Sequence, residues 1–125
     1  MIIARGNFLQ GTDSVIVRVF DLLKSKEWYR TVLGLKVSIE DFKYKLVVFD
    51  TGSHTTLTLW ETDRNISIDR ETTSYIIFNV LDAIATRNEL QGKGVIVDRL
   101  IESDFVKYFF FYDPDGNIIE VCQIL

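Results

Sequence analysis

Cysteine and proline each occur once in these 125 residues, and the charge balance is mildly acidic at −4. The single cysteine, Cys122, excludes an internal disulfide and a cysteine-rich zinc site. The single proline, Pro114, leaves no proline-rich linker anywhere in the chain. The net negative charge gives no electrostatic footprint for nucleic acid or for an anionic membrane surface. No apolar run approaches the roughly 18 residues a membrane span requires, and Met1-Ile2-Ile3-Ala4-Arg5 has no signal-peptide core. These absences leave a soluble, cytoplasmic protein with no nucleic-acid or membrane partner as the expectation.

What the chain has in quantity is aromatic surface: nine Phe, five Tyr and two Trp. Such a set builds an aromatic core or an aromatic pocket. At this length a single domain, residues 1–125, is expected, burying about two thirds of its unfolded surface. The most informative stretch is Phe109-Phe110-Phe111-Tyr112-Asp113-Pro114-Asp115-Gly116-Asn117-Ile118-Ile119-Glu120-Val121-Cys122. It reads as two strands joined by a tight turn, in which Pro114 presets φ and Gly116 supplies the left-handed residue. Glu120 then lies within an apolar strand, where a carboxylate needs a solvated face, a partner or a task.

Period-2 alternation predicts further strands over 14–20, 36–40, 44–50, 55–61, 75–80 and 95–98. The hairpin strands cover 105–112 and 117–124. Asp21 is placed to cap a helix over 22–33 that Gly34 ends, and Asp82 opens a second helix to about residue 91. Residues 1–13 read as a short strand or an arm, and 63–73 as a polar linker. The order repeats. Val19-x-Asp21 matches Val80-x-Asp82, Gly34 matches Gly94, and Asp50-Thr51-Gly52 matches the turn from Asp113 to Gly116, so Thr58 falls opposite Glu120. Each half is βαβββ, an internal duplication covering 14–62 and 74–124. One half alone cannot bury both faces of its sheet. The expected fold class is α+β: two βαβββ modules forming a curved eight-stranded sheet, helices outside, with a concave cavity within.

These motifs, together with Trp28-Tyr29 before Leu33-Gly34 and Phe78 before Val80, make the chain resemble the vicinal oxygen chelate superfamily. That family includes glyoxalase I, bleomycin-resistance proteins and extradiol dioxygenases. The resemblance covers residues 14–124, and the Asp113–Glu120 run is its most specific piece. It implies a concave site and frequent dimerisation, so a homodimer is expected. In metal-dependent members four ligands sit at positions that here are Ser14, Thr58, Tyr75 and Glu120. The family usually has His, Gln or Glu at the first three, so only Glu120 is kept. One carboxylate and three hydroxyls make a poor divalent cage. No metal and no other cofactor is therefore expected. The one imidazole, His54, reads as a solvated turn residue.

The repeat assigns Ile16, Arg18, Lys45, Val47, Phe49, Thr58, Trp60, Tyr75, Tyr108, Phe110 and Glu120 to the concave face. The helix-covered face takes Val17, Val19, Leu46, Val48, Leu57, Leu59, Phe109, Phe111, Ile119 and Val121. The first set mixes apolar walls with a few convergent polar groups, which suits a small-molecule pocket. Ligand contacts are expected from Ser14, Arg18, Lys45, Thr58, Trp60, Tyr75, Tyr108 and Phe110, with Glu120 as a ligand contact or catalytic base. Two alternatives stay open on the residues alone. Arg18 and Glu120 could pair inside a closed cleft, or the aromatics could form an interface. The functional readings are a metal-independent protein that binds a small aromatic or anionic molecule in the concave cavity and, second, a lyase or isomerase of the glyoxalase type using Glu120 as base, with or without a divalent metal.

Overall fold

A computed structural model describes residues 8–125; residues 1–7 of the proposed arm lie outside the described residues, and residues 8–13 carry neither helix nor strand. The order is β1 (Ser14–Val19), α1 (Leu22–Thr31), β2 (Lys36–Asp41), β3 (Leu46–Asp50), β4 (Thr56–Glu61), β5 (Ile76–Asn79), α2 (Ala83–Gly92), β6 (Ile101–Glu102), β7 (Val106–Tyr112) and β8 (Ile118–Ile124). The βαβββ repeat is present. Its eight strands form two four-stranded mixed sheets, ordered β1-β4-β3-β2 and β5-β8-β7-β6. In each, the first strand runs parallel to the last and antiparallel hairpins complete the sheet.

The duplication extends to the helix starts. The Asp21 carboxylate accepts from the Lys24 amide at 3.1 Å, and the Asp82 carboxylate from the Ala85 amide at 3.0 Å. A second acceptor reaches each start from the neighbouring strand. Glu61 accepts from the Leu22 amide and Gln123 from the Ala83 amide. Both helices therefore have two of their orphan amides satisfied by side chains.

Each helix packs on one sheet face, α1 on β3 and β4, α2 on β7 and β8. The buried core is continuous through both halves and includes Val19, Tyr29, Phe49, Leu57, Leu59, Leu90, Phe109, Phe111, Ile119 and Val121. The Asp113–Asn117 turn ties the halves together. The Asp113 carboxylate accepts from the Tyr29 hydroxyl at 2.7 Å, Asp115 accepts from the Phe20 amide, and the Asn117 amide donates to the Arg18 carbonyl. Gly116, at φ +82, closes this turn in the conformation a side chain would strain.

Two expectations need correction. The short strand expected over 95–98 is a single bridge, Val97 to Phe111; β6 lies further on, at 101–102. The chain is diverted there because the Asp98 amide donates to the Phe110 carbonyl, while the Asp98 carbonyl accepts from Arg87. The face assignment of β3 is also inverted. Val48 pairs with Thr58 and Phe49 with Leu57, so Val47 and Phe49 are fully buried under the helix and Leu46 and Val48 share the Thr58 face. A slip of one residue turns every side chain of a strand over.

Candidate functional site

The sheet faces away from the helices carry the predicted residues in two groups. On the first module, Ser14 and Thr58 lie on adjacent parallel strands, and their hydroxyls meet at 2.7 Å. The Ser14 hydroxyl also reaches the Thr56 carbonyl at 3.2 Å. Farther along the same face, the Arg18 guanidinium lies 4.5 Å from the centre of the Trp60 ring. It donates to the carbonyls of Trp60 and Glu61, both at 3.1 Å. Arg18 is thus held along β4, and the pairing with Glu120 left open by the sequence does not form.

Lys45 departs from the expected group. It sits in the turn before β3 with φ +58, so the alternation that placed it on the face breaks at its own backbone. Its ammonium lies 3.7 Å from Glu61, whose other carboxylate oxygen caps α1. That position belongs to the helix side.

On the second module, Tyr75, Tyr108, Phe110 and Glu120 come together. Phe110 is the cross-strand neighbour of Glu120 on β7, and Ile77 is its neighbour on β5. The Tyr75 ring meets Phe110 edge-on at 5.5 Å and 82°, and Tyr108 meets Phe110 at 5.9 Å and 89°. Glu120 is only 7 % exposed. Its carboxylate has no hydrogen bond or ion pair among the described residues, while no fully buried side-chain oxygen lacks a partner there. The carboxylate oxygens therefore keep contact with solvent from within an apolar setting. Burial raises the Glu120 carboxyl from its ordinary value.

The sequence reading missed one group on this face. Arg70, from the linker, places its guanidinium 6.0 Å from the Phe110 ring centre and 5.4 Å from that of Tyr112. It pairs with Asp98 at 2.7 Å, and the same Asp98 oxygen accepts from the Tyr112 hydroxyl. Burial and Asp98 together push the Tyr112 phenol up to about 12. Each of these contacts spans 14 residues of chain or more, and no local pattern marks them.

No hydrogen bond, ion pair or ring contact joins the Ser14–Thr58 group to the Tyr75–Glu120 group among the described residues. A cavity of about 630 Å³ lies between the modules, lined by Val15 and the 51–55 turn on one side and by Tyr75, Ile77 and Asn79 on the other. His54 lies in that turn and is exposed. A second cavity, about 320 Å³, sits on the helix side between Leu33, Leu90 and Val121.

The four positions that the resemblance assigns to metal ligands are Ser14, Thr58, Tyr75 and Glu120. Two hydroxyls bond each other and one phenol ring packs against Phe110. No group of three His, Cys, Asp or Glu side chains able to hold a metal occurs among the described residues. This donor set does not fit a tightly held divalent ion, which needs several anionic or imidazole ligands.

Paired βαβββ modules, helices on one side and a carboxylate on the other, define a glyoxalase-type fold. The chain belongs to the Glyoxalase/Bleomycin resistance protein/Dioxygenase superfamily, whose model matches residues 11–121. It is 31 % identical over 121 residues to the uncharacterized protein YraH of Bacillus subtilis (strain 168), covering 86 % of this chain and 93 % of that one. Among solved structures, it is similar to TnmS3, an antibiotic binding protein from Streptomyces sp. CB03234. That match has a TM-score of 0.76 and 21 % identity, covering 95 % of this chain and 99 % of that one. It is also similar to lactoylglutathione lyase from Agrobacterium tumefaciens, with a TM-score of 0.74 and 18 % identity over 92 % of this chain and 94 % of that one. No helix among the described residues is long and apolar enough to cross a membrane.

Proposed function

We propose that this protein is a metal-independent small-molecule binding protein whose ligand lies on the face opposite the helices. The observation that carries the reading is the Tyr75–Tyr108–Phe110 cluster around Glu120, an apolar wall with one charged group. The Ser14–Thr58 hydroxyls and the Arg18–Trp60 stack supply polar and aromatic contacts on the other module. The single domain acts as a cytoplasmic homodimer in this reading, because the two groups of site residues make no contact within one chain and a second copy would complete the face. TnmS3, an antibiotic binding protein of similar fold, supports a ligand-holding role for this chain. Fluorescence titration through Trp60 against a panel of aromatic metabolites tests it, with saturable quenching expected. Absence of saturable binding across the panel, or a stoichiometric divalent ion in protein purified without chelator, refutes it.

A second reading rests on the upward shift of the Glu120 carboxyl. A carboxylate whose affinity for a proton is raised by burial is better matched to general base catalysis near neutral pH. Glu120 would then remove a proton next to an activated oxygen in a lyase or isomerase of the glyoxalase type. The outcome this reading requires is isomerisation of the thiohemiacetal of a thiol and a 2-oxoaldehyde to the 2-hydroxyacyl thioester, lost in Glu120→Gln. The proton that Glu120 takes from one carbon is returned to its neighbour.

A further inference from the structure

Glu120 is a buried carboxylate with no ion pair among the described residues. Lys107 on β7 pairs in register with Gln123, on the opposite face of the sheet from Phe110 and Glu120, and three further cations are engaged elsewhere. Arg18 donates to carbonyls on β4, Lys45 pairs with Glu61, and Arg70 pairs with Asp98. Burying a carboxylate in apolar surroundings is unfavourable, and beyond the solvent contact its oxygens keep, no hydrogen bond or ion pair among the described residues offsets it. The rings around it have a matching property. Tyr75 and Tyr108 both stand almost perpendicular to Phe110, which is the cross-strand neighbour of Glu120. Aromatic faces carry partial negative charge and attract cations. The same row already holds one cation in this way, since Arg70 lies over Phe110 and Tyr112.

We propose that the sheet face at Glu120 takes an organic cation: a protonated amine or quaternary ammonium group, with Glu120 as its counter-charge and the rings of Phe110, Tyr75 and Tyr108 beside it. This rests on the ligand-binding reading above and sharpens it. An anionic group placed at Glu120 would meet a like charge in a setting of reduced dielectric, where repulsion is strong. A metal ion would find no group of three His, Cys, Asp or Glu side chains among the described residues. An alkylated ammonium needs neither, because its hydration is weak and its charge is spread over its methyl groups. The anionic part of any bifunctional ligand belongs toward Arg70, whose guanidinium is tethered at one nitrogen.

The test is a ¹H–¹⁵N NMR titration of the intact chain with three probes of similar size: phenyltrimethylammonium, benzoate and benzyl alcohol. Phenyltrimethylammonium should shift the amides of Ile77, Phe110 and Glu120 saturably, with about tenfold higher affinity than either other probe. Glu120→Gln should lower its affinity about tenfold and leave that of benzyl alcohol unchanged. Phe110→Leu, which keeps the carboxylate, should lower it about threefold. Equal binding of all three probes, or an unchanged affinity in Glu120→Gln, overturns the cation assignment and leaves the ligand-binding reading standing. Preference for benzoate at these amides overturns it in the same way. If no probe shifts these amides while a divalent ion does, both the assignment and the metal-independent reading fail.

Discussion

Replacing Tyr29 by Phe removes one oxygen from the junction of the two modules. The Tyr29 ring is fully buried and stacks on Phe49 at 6.1 Å, so the substitution leaves the apolar packing in place. What is lost is the 2.7 Å hydrogen bond to Asp113. Asp113 is itself buried, and it accepts from the Asn117 side chain and from the amides of Asp115 and Asn117. It is therefore weakened and not orphaned. Hydrogen bonds to charged groups contribute about 1.5–3 kcal/mol, and the remaining partners place the loss at about 2 kcal/mol. For a domain of this size that lowers Tm by roughly 6–10 °C. The pH dependence follows from the sign of the shift. Burial, the largest influence, raises the Asp113 carboxyl, and the Tyr29 hydroxyl opposes it. The folded state thus holds its proton to higher pH than the unfolded state does, and stability falls as pH rises through that window. Removing Tyr29 moves the folded value further up and extends the loss. The deficit of Tyr29→Phe should be largest near pH 7 and shrink to about 1 kcal/mol below the ordinary carboxylate range, where a neutral hydrogen bond is all that is missing. Urea denaturation followed through Trp28, whose ring lies 5.0 Å from Tyr29, reads both quantities. A deficit under about 0.5 kcal/mol at pH 7, or one that is the same at pH 4, would refute the assignment of Tyr29–Asp113 as the tie between modules.

Three further outcomes are expected. Glu120→Gln should raise Tm at pH 7, because burial favours the protonated carboxyl and the folded state carries an ionised one at a cost; the gain should vanish as pH falls to the ordinary carboxylate range, and a Tm lowered at pH 7 would count against it. Ser14→Ala alone should cost about 1 kcal/mol by leaving the Thr58 hydroxyl without its partner, whereas Ser14→Ala with Thr58→Val should cost less than the sum of the two single changes in a double-mutant cycle. Asp82→Ala removes the cap of α2 and should cost about 1 kcal/mol in chemical denaturation; the Gln123 carbonyl still satisfies one amide, so a loss above about 3 kcal/mol would point to a larger role.

Much of this architecture is legible in the sequence because it is written locally and then repeated. Asp21 and Asp82 announce the helix starts, and the alternation of 14–20 and 105–112 sorts those strands by face. Glu120, Phe110 and Tyr108 are grouped by the hairpin register alone. The β3 error arose from aligning Phe49-Asp50 with Tyr112-Asp113, one residue out of step. Phe49 pairs with Leu57 across eight residues, the same separation as Phe111 to Ile119, so Phe49 corresponds to Phe111 and the 51–55 and 113–117 turns are equal in length. Lys45 was lost to a backbone conformation that a pattern of side-chain types does not reveal. Arg70 and Asp98 were invisible for another reason: a salt bridge across 28 residues leaves no periodic trace. The strand-end caps did leave one. Glu61 and Gln123 follow Trp60 and Cys122 at equivalent places in the two copies, and an acceptor repeated there is a readable sign of a helix start nearby.

The continuous core and the three bonds of the Asp113–Asn117 turn bear on what the peptide bonds of the linker are for. Cohesion between the halves comes from buried side chains and from a turn that belongs to the second half but fastens to the first. Arg70 holds its end of the linker to Asp98, within the second half. A nick placed between residues 62 and 68 therefore severs little except covalent continuity. Two fragments made separately should recognise each other and reassemble, which makes this chain a candidate for fragment complementation and for a circular permutant opened at the same point.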